Sequence, residues 1–346
     1  MRLKDLLLAP VHVASVATGD ASFRNNPVLA SPALNRRGLH VGRVRLAARI
    51  SDRRRRSLTH LVSSEHREMF AEQGFVKVEN ALPPEAFAAL STEVLTTRFA
   101  AREMKQGNTV TRFITLTPEQ LRPLPALAGF VRGQLFQGLM RYVASKNADP
   151  LFTLHAVLTD PEKGRPDPQT KFHSDTFHST AKGWLFLKDV ALEDGPFSYI
   201  PGSHIVTPER LEWEHEQSLT AGQHRNGHHA HGAFRASQDD IRQMGYGEVA
   251  RFVVKANTFV VADTHGFHAR ALSTRPSTRI AIYGSLRRNP FNPLPGMDVF
   301  DLPGIRGRRA QLQDIAWAAA ARLSGTKETQ PLVGNVLIGD PARRRG

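Results

Sequence analysis

Phe172-His173-Ser174-Asp175 lies between two strand-like runs, Leu151–Leu158 and Trp184–Val190, and the reading of the fold starts there. On an extended segment, side chains two residues apart face the same way. His173 and Asp175 can therefore converge on one point, while Phe172 and Ser174 face the opposite side. Working outward, further short runs alternate with Gly and Pro punctuation: Thr111–Leu116, Phe197–Ile200, Ala250–Val254, Thr258–Ala262 and Arg279–Ser285. Several short strands with such turns indicate a sandwich or barrel. Helices are expected from Glu65 to Gln73 (capped by Ser63-Ser64 and stopped by Gly74), from Pro84 onward, from Leu127 to Val143, and from Arg309 to Leu323.

A His-x-Asp pair alone is weak evidence of a site. A distant segment, Phe259-Val-Val-Ala-Asp-Thr-His265-Gly-Phe-His268-Ala-Arg270, adds two candidate imidazoles. Two imidazoles and one carboxylate occupy one face of an octahedron and leave three positions open, the facial triad of non-haem Fe(II) oxygenases. Two open positions suit a bidentate 2-oxo acid, and the third suits dioxygen. The far carboxylate of such a cosubstrate needs a cation. Arg279 opens a strand eleven residues after His268, so an adjacent antiparallel strand can return its planar fork towards the metal.

The order of these motifs resembles the phytanoyl-CoA dioxygenase family over roughly residues 65–290. Phe70-Ala-Glu-Gln-Gly-Phe-Val-Lys-Val-Glu-Asn80 looks like the family's opening helix and first strand, and His173-Ser-Asp175 like its proximal iron motif. Asp194-Gly-Pro196 and Ile200-Pro-Gly-Ser-His204 resemble its central turn and Pro-Gly-Ser-His signature. Asp263-Thr-His-Gly-Phe-His268 resembles the distal histidine strand, and its spacing to Arg279 favours His268 over His265 as ligand. The resemblance implies a mainly β protein with flanking helices, a double-stranded β-helix or jelly roll. It implies an Fe(II)- and 2-oxoglutarate-dependent dioxygenase with His173, Asp175 and His268 on iron, Arg279 on the cosubstrate and Trp184 packed beside it. Related halogenases lack the carboxylate ligand, so Asp175 directs the expectation to hydroxylation or desaturation. Where some members carry a hydroxyl two residues after the distal histidine, this chain has Arg270, with Ser277 and Thr278 as the available substitutes.

Other histidines have plainer readings. His178 is expected at the rim of the site, and His204 in a turn held by a hydrogen bond to the backbone. His224, His228, His229 and His231 fall in a polar insertion expected to be mobile. Lys171 and Arg270, beside the ligands, are equally readable as anion contacts or as solvent-facing residues.

Composition bounds the remainder. The chain has 346 residues, no Cys and a formal charge of +14. Disulfides, thiolate metal sites and cysteine nucleophiles are excluded, and no apolar run is long enough to span a membrane. Residues 1–56 hold twelve Lys/Arg against three Asp, so nine of the fourteen charges sit there. A solvated, poorly ordered arm is expected, with peripheral contact to an anionic surface as the alternative. The division expected is residues 1–56 as a basic extension, 57–305 as the oxygenase domain and 306–346 as a closing helix with a basic tail, in a cytoplasmic protein. A small-molecule, lipid-like or glycan-type substrate is expected, with anionic character suggested by the charge, and no specific nucleic acid. A zinc-dependent hydrolase or lyase on the same ligands, or a metal-binding jelly-roll module without catalysis, is the alternative.

Overall fold

The computed structural model describes residues 8–296 and 328–343, together with 308, 309, 311, 312, 315, 316 and 319. The closing helix expected over Arg309–Leu323 falls largely outside the described residues. Eleven strands follow in order among the described residues: β1 (Phe75–Val78), β2 (Arg98–Gln106), β3 (Thr109–Ile114), β4 (Leu151–Thr159), β5 (Ala181–Phe186), β6 (Phe197–Tyr199), β7 (Ala250–Arg251), β8 (Phe259–Asp263), β9 (His268–Arg270), β10 (Ser277–Leu286) and β11 (Leu332–Leu337). Eight form one antiparallel sheet in the order β1-β8-β5-β10-β4-β3-β2-β11, and three form a smaller sheet in the order β7-β6-β9. The two sheets and their flanking helices make the expected jelly roll.

The apolar run of β8 shows why both faces of the large sheet are covered. Phe259 and Val261 pack into one cluster with Phe136, Leu139 and Met140 of the helix Gln134–Val143. Val260 and Ala262 point the other way, into a cluster with Phe197, Tyr199 and Phe252. Alternate residues thus serve different layers, and a continuous apolar stretch replaces the polar–apolar alternation of a half-solvated strand. Two paired glycines, Gly183 on β5 and Gly284 on β10, set the helix spacing. A Cβ on Gly183 would meet Met140 Sδ at 2.8 Å, and one on Gly284 would meet the Phe136 ring at the same distance. Phe136 is fully buried, and truncating such a residue to Ala costs about 3–5 kcal/mol.

The helix expected from Leu127 to Val143 is two helices, Pro125–Arg132 and Gln134–Val143, because Gly133 is extended (φ −68°, ψ 156°) and ends the first. The polar insertion is also structured. It contributes the helices Pro208–Thr220 and Gln238–Gln243, and it buries His229 and Ala230.

The N-terminal segment corrects the expectation of a loose arm. Helix Leu39–Ser57 runs straight through the anticipated boundary at Arg53–Arg56 and buries Arg43, Val44, Ala47, Ser51 and Arg54. Arg43 donates to the carbonyls of Val16, Thr18 and Asp20, and Arg54 to those of Ser145, Pro290 and Asn292. His40 Nε2 lies 2.7 Å from Glu214 on the insertion helix, both buried. Part of the basic charge therefore fastens carbonyls, whereas Arg45, Arg49, Arg53 and Arg56 remain exposed. Among the described residues, no helix is long and apolar enough to cross a membrane.

Candidate active site

His173 enters the small sheet as a single bridging residue. Its backbone exchanges two hydrogen bonds with His268 of β9, each 3.0 Å, and the ring centroids lie 4.3 Å apart. Asp175 follows two residues later and brings Oδ1 to 3.8 Å from His173 Nε2 and 3.6 Å from His268 Nε2. Each imidazole is oriented by a carbonyl, which can only accept: His173 Nδ1 donates to Lys171 O at 2.8 Å and His268 Nδ1 to Gly266 O at 3.0 Å. That fixes the tautomer and leaves both Nε2 lone pairs facing the carboxylate, the outer support typical of metal-binding histidines.

These three residues form the one His/Asp/Glu group of metal-binding proportions found among the described residues. The donor set fits a divalent ion of the Fe(II) type. Burial opposes ionisation of Asp175, but Lys182 and the two imidazoles outweigh it and hold the carboxyl well below its usual range. Lys182 Nζ lies 2.5 Å from Asp175 Oδ2, so one oxygen is engaged while the other faces the imidazoles. Burial, with the neighbouring His268 and Arg235, keeps His173 neutral well below the ordinary imidazole range.

A cavity of about 250 Å³ opens beside this cluster, and Trp184 and Arg279 line it. Arg279 stands opposite Val157 of β4 and is 9% exposed. Its Nε has no hydrogen-bond partner among the described residues. Burial and the adjacent Arg270 push the guanidinium pKa down to about 9. Trp184 packs against Phe197 with centroids 4.5 Å apart. The same face of the large sheet continues the lining through Tyr283, paired with Trp184, and through His155, Phe113 and Met104, with the Tyr283 and His155 rings stacked at 4.2 Å.

The remaining sequence candidates separate from this cluster. His265 turns away: Nδ1 donates to Thr176 O at 3.1 Å, and the ring lines a second cavity of about 630 Å³. His178 and His204 line that second cavity too, so His178 is not at the rim of the first. His204 Nδ1 has no hydrogen-bond partner among the described residues, contrary to the expected backbone bond, and the ring packs on Phe70 at 5.1 Å. Arg270 is ion-paired with buried Asp167, so it neither points to solvent nor waits for an anion. Ser277 is tied to Ser273 and to the Asp194 carbonyl. His224 and His229 stack at 4.0 Å without gathering a third ligand.

Sequence reasoning missed Lys182, Tyr283 and His155. Lys182 stands two residues before Trp184 and Tyr283 four after Arg279, so strand alternation alone carries the signal for both. His155 faces the cavity through its pairing with Ala281 and had no local signature.

No curated protein sequence matches the chain. Among solved structures, the chain is similar to the non-haem α-ketoglutarate-dependent carbocyclase SnoK from nogalamycin biosynthesis, at 19% identity over 79% of this chain and 96% of that one, with a TM-score of 0.41. It is also similar to HygX from Streptomyces hygroscopicus, crystallised with nickel and 2-oxoglutarate, at 13% identity over 71% and 94% of the two chains and the same TM-score. The profile of the phytanoyl-CoA dioxygenase family matches residues 70–250. Because that match covers just over half of the chain, the protein belongs to the phytanoyl-CoA dioxygenase family of Fe(II)- and 2-oxoglutarate-dependent oxygenases.

Proposed function

We propose that the enzyme hydroxylates a small molecule, with iron held by His173, Asp175 and His268. Arg279 receives the far carboxylate of 2-oxoglutarate, and Trp184 packs along that cosubstrate. One observation carries this reading. Two imidazole Nε2 atoms and one carboxylate oxygen converge at the head of a cavity whose far part holds a buried guanidinium with an unpartnered Nε.

Fe(II), when bound, supplies dioxygen activation coupled to decarboxylation of the keto acid to succinate. Backbone and side chains supply everything else. Lys171 and Gly266 carbonyls fix the imidazoles, Lys182 steadies the carboxylate, and the apolar walls exclude water. Arg279 orients the cosubstrate with a fork matched to a carboxylate. The residues given roles here all lie within 57–305, although β11 beyond that span completes the edge of the large sheet. At about 250 Å³, the cavity falls below the roughly 300–1,000 Å³ of drug-sized sites, so a small substrate, or one end of a larger one, enters beside the cosubstrate.

The test is Fe(II)-dependent succinate formation from 2-oxoglutarate, and its loss in Arg279→Met. Zinc-dependent hydrolysis on the same ligands would form no succinate and would be indifferent to that substitution.

A further inference from the structure

Three cations surround Asp175. Lys182 contacts it directly. Arg287 donates from Nη2 to the hydroxyl of the next residue, Thr176, at 3.2 Å. Arg235, from the polar insertion, bridges His173 on the side opposite His268. Ser174 N donates to Phe234 O and Ala236 N to Phe172 O, at 3.1 and 3.0 Å, so His173 and Arg235 form the close, non-hydrogen-bonded kind of antiparallel pair. Residues directly opposite each other share a face. Arg235, His173 and His268 therefore make one row looking into the site. Arg235 Nη1 donates to Ala233 O at 2.7 Å, but its buried Nε has no hydrogen-bond partner among the described residues.

Charge decides what this row is for. The carboxylate acting on Arg235 is that of Asp175. Arg287 also faces Asp20, which is shared with Arg43. Asp175, in the reading above, gives its charge to iron, and the far carboxylate of 2-oxoglutarate offsets Arg279. The near carboxylate, Asp175 and the ferrous ion then cancel one another. Lys182 and Arg235, both half-buried, are left facing a neutral centre together with the exposed Arg287, and a half-buried cation without a counter-charge is costly. The site is open on this side, where the Asp175 and Lys182 side chains are 21% and 30% exposed.

We propose that Arg235, with Lys182 and Arg287, forms the receptor for an anionic group on the substrate, a carboxylate or a phosphate. The inference rests on the assignment of iron and 2-oxoglutarate to this site. The substrate is then a small acid. Its anion is gripped at the mouth, and its hydrocarbon part lies against Met104 and Phe113. Arg235 is the principal contact, because its fork already lies in the row of the two iron-binding imidazoles and has a donor to spare.

Calorimetric titration of the nickel-loaded protein, which does not turn over, tests this at saturating 2-oxoglutarate. The probes are benzoate, phenyl phosphate and benzyl alcohol. Both or one of the anions should bind and the alcohol should not; the tighter anion identifies the acidic group. Arg235→Met should weaken the anion about tenfold, with Arg235→Lys intermediate. An unchanged melting temperature and unchanged 2-oxoglutarate affinity in Arg235→Met show that the variant is folded. Should it fail to fold, Arg287→Met carries the same expectation. The proposal is overturned if no anion binds, if the alcohol binds as tightly, or if the folded variants bind the anion unchanged. Failure of the underlying assignment looks different: the nickel-loaded wild type would not bind 2-oxoglutarate at all.

Discussion

Glu103 on β2 and Arg112 on β3 stand directly opposite each other as a wholly buried ion pair, with Arg112 Nη2 2.6 Å from Glu103 Oε1 and neither side chain exposed. The guanidinium also donates to the carbonyls of Leu337, Ile338, Asp340 and Pro341, at 2.7–3.2 Å. One side chain thus clamps the C-terminal strand to the edge of the large sheet beside the strands that carry Met104 and Phe113.

Removing one partner leaves the other charge stranded in the interior. Arg112→Met should lower the stability by about 3–5 kcal/mol, read as a fall in the urea midpoint. Glu103→Met with Arg112→Met should cost less than the two single changes added together. Full additivity would show that the pair is not coupled.

The same pair explains what the sequence conceals. β8 and β10 are legible because Phe259, Val261, Ile280 and Ile282 repeat every second residue. β2 is not, since Glu103 occupies an inward position among Phe99 and Ala101 and breaks the apolar pattern. Buried Arg43 and Arg54 mislead in the same way, because a basic run reads as solvated unless the carbonyls it serves are known. The three residues proposed to hold iron are legible through local His-x-Asp spacing and the distance from His268 to Arg279. Arg235 reaches the site only through pairing across sixty residues of chain, and nothing local announces it.

The two histidines of the distal segment divide cleanly. His268→Ala removes a ligand and should weaken nickel binding by more than about 100-fold, since even outer-shell changes cost 10–100-fold. His265→Ala should leave that affinity within about twofold, because its ring lines the other cavity. Titration of the metal-free protein with Ni(II) separates them, and the reverse order would reassign the ligand.

Arg279→Met should raise the dissociation constant of 2-oxoglutarate by roughly 10- to 150-fold, from the loss of charge-assisted hydrogen bonds worth about 1.5–3 kcal/mol. Arg279→Lys should recover part of it, keeping the charge without the fork. Metal affinity should stay near the wild-type value in both, which distinguishes a cosubstrate contact from general damage to the site.

Acid sensitivity should trace in part to His229. It is 2% exposed, stacked between His224 at 4.0 Å and Phe234 at 4.7 Å. Burial first, then the neighbouring His224, pushes its pKa down to about 4. An unfolded histidine titrates near 6.5. Between these values the unfolded chain binds the proton and the folded chain does not, so stability rises with pH across that window. The stabilisation from keeping His229 neutral is complete above about pH 6.5 and is lost as the pH falls towards 4, by up to roughly 1.4 kcal/mol per pH unit. His229→Phe keeps a stacking ring and removes the titration. Its chemical-denaturation stability should therefore depend less steeply on pH between 6.5 and 4 than that of the wild type. Parallel curves over this range would mean that the imidazole is protonated as readily in the folded protein as in the unfolded chain.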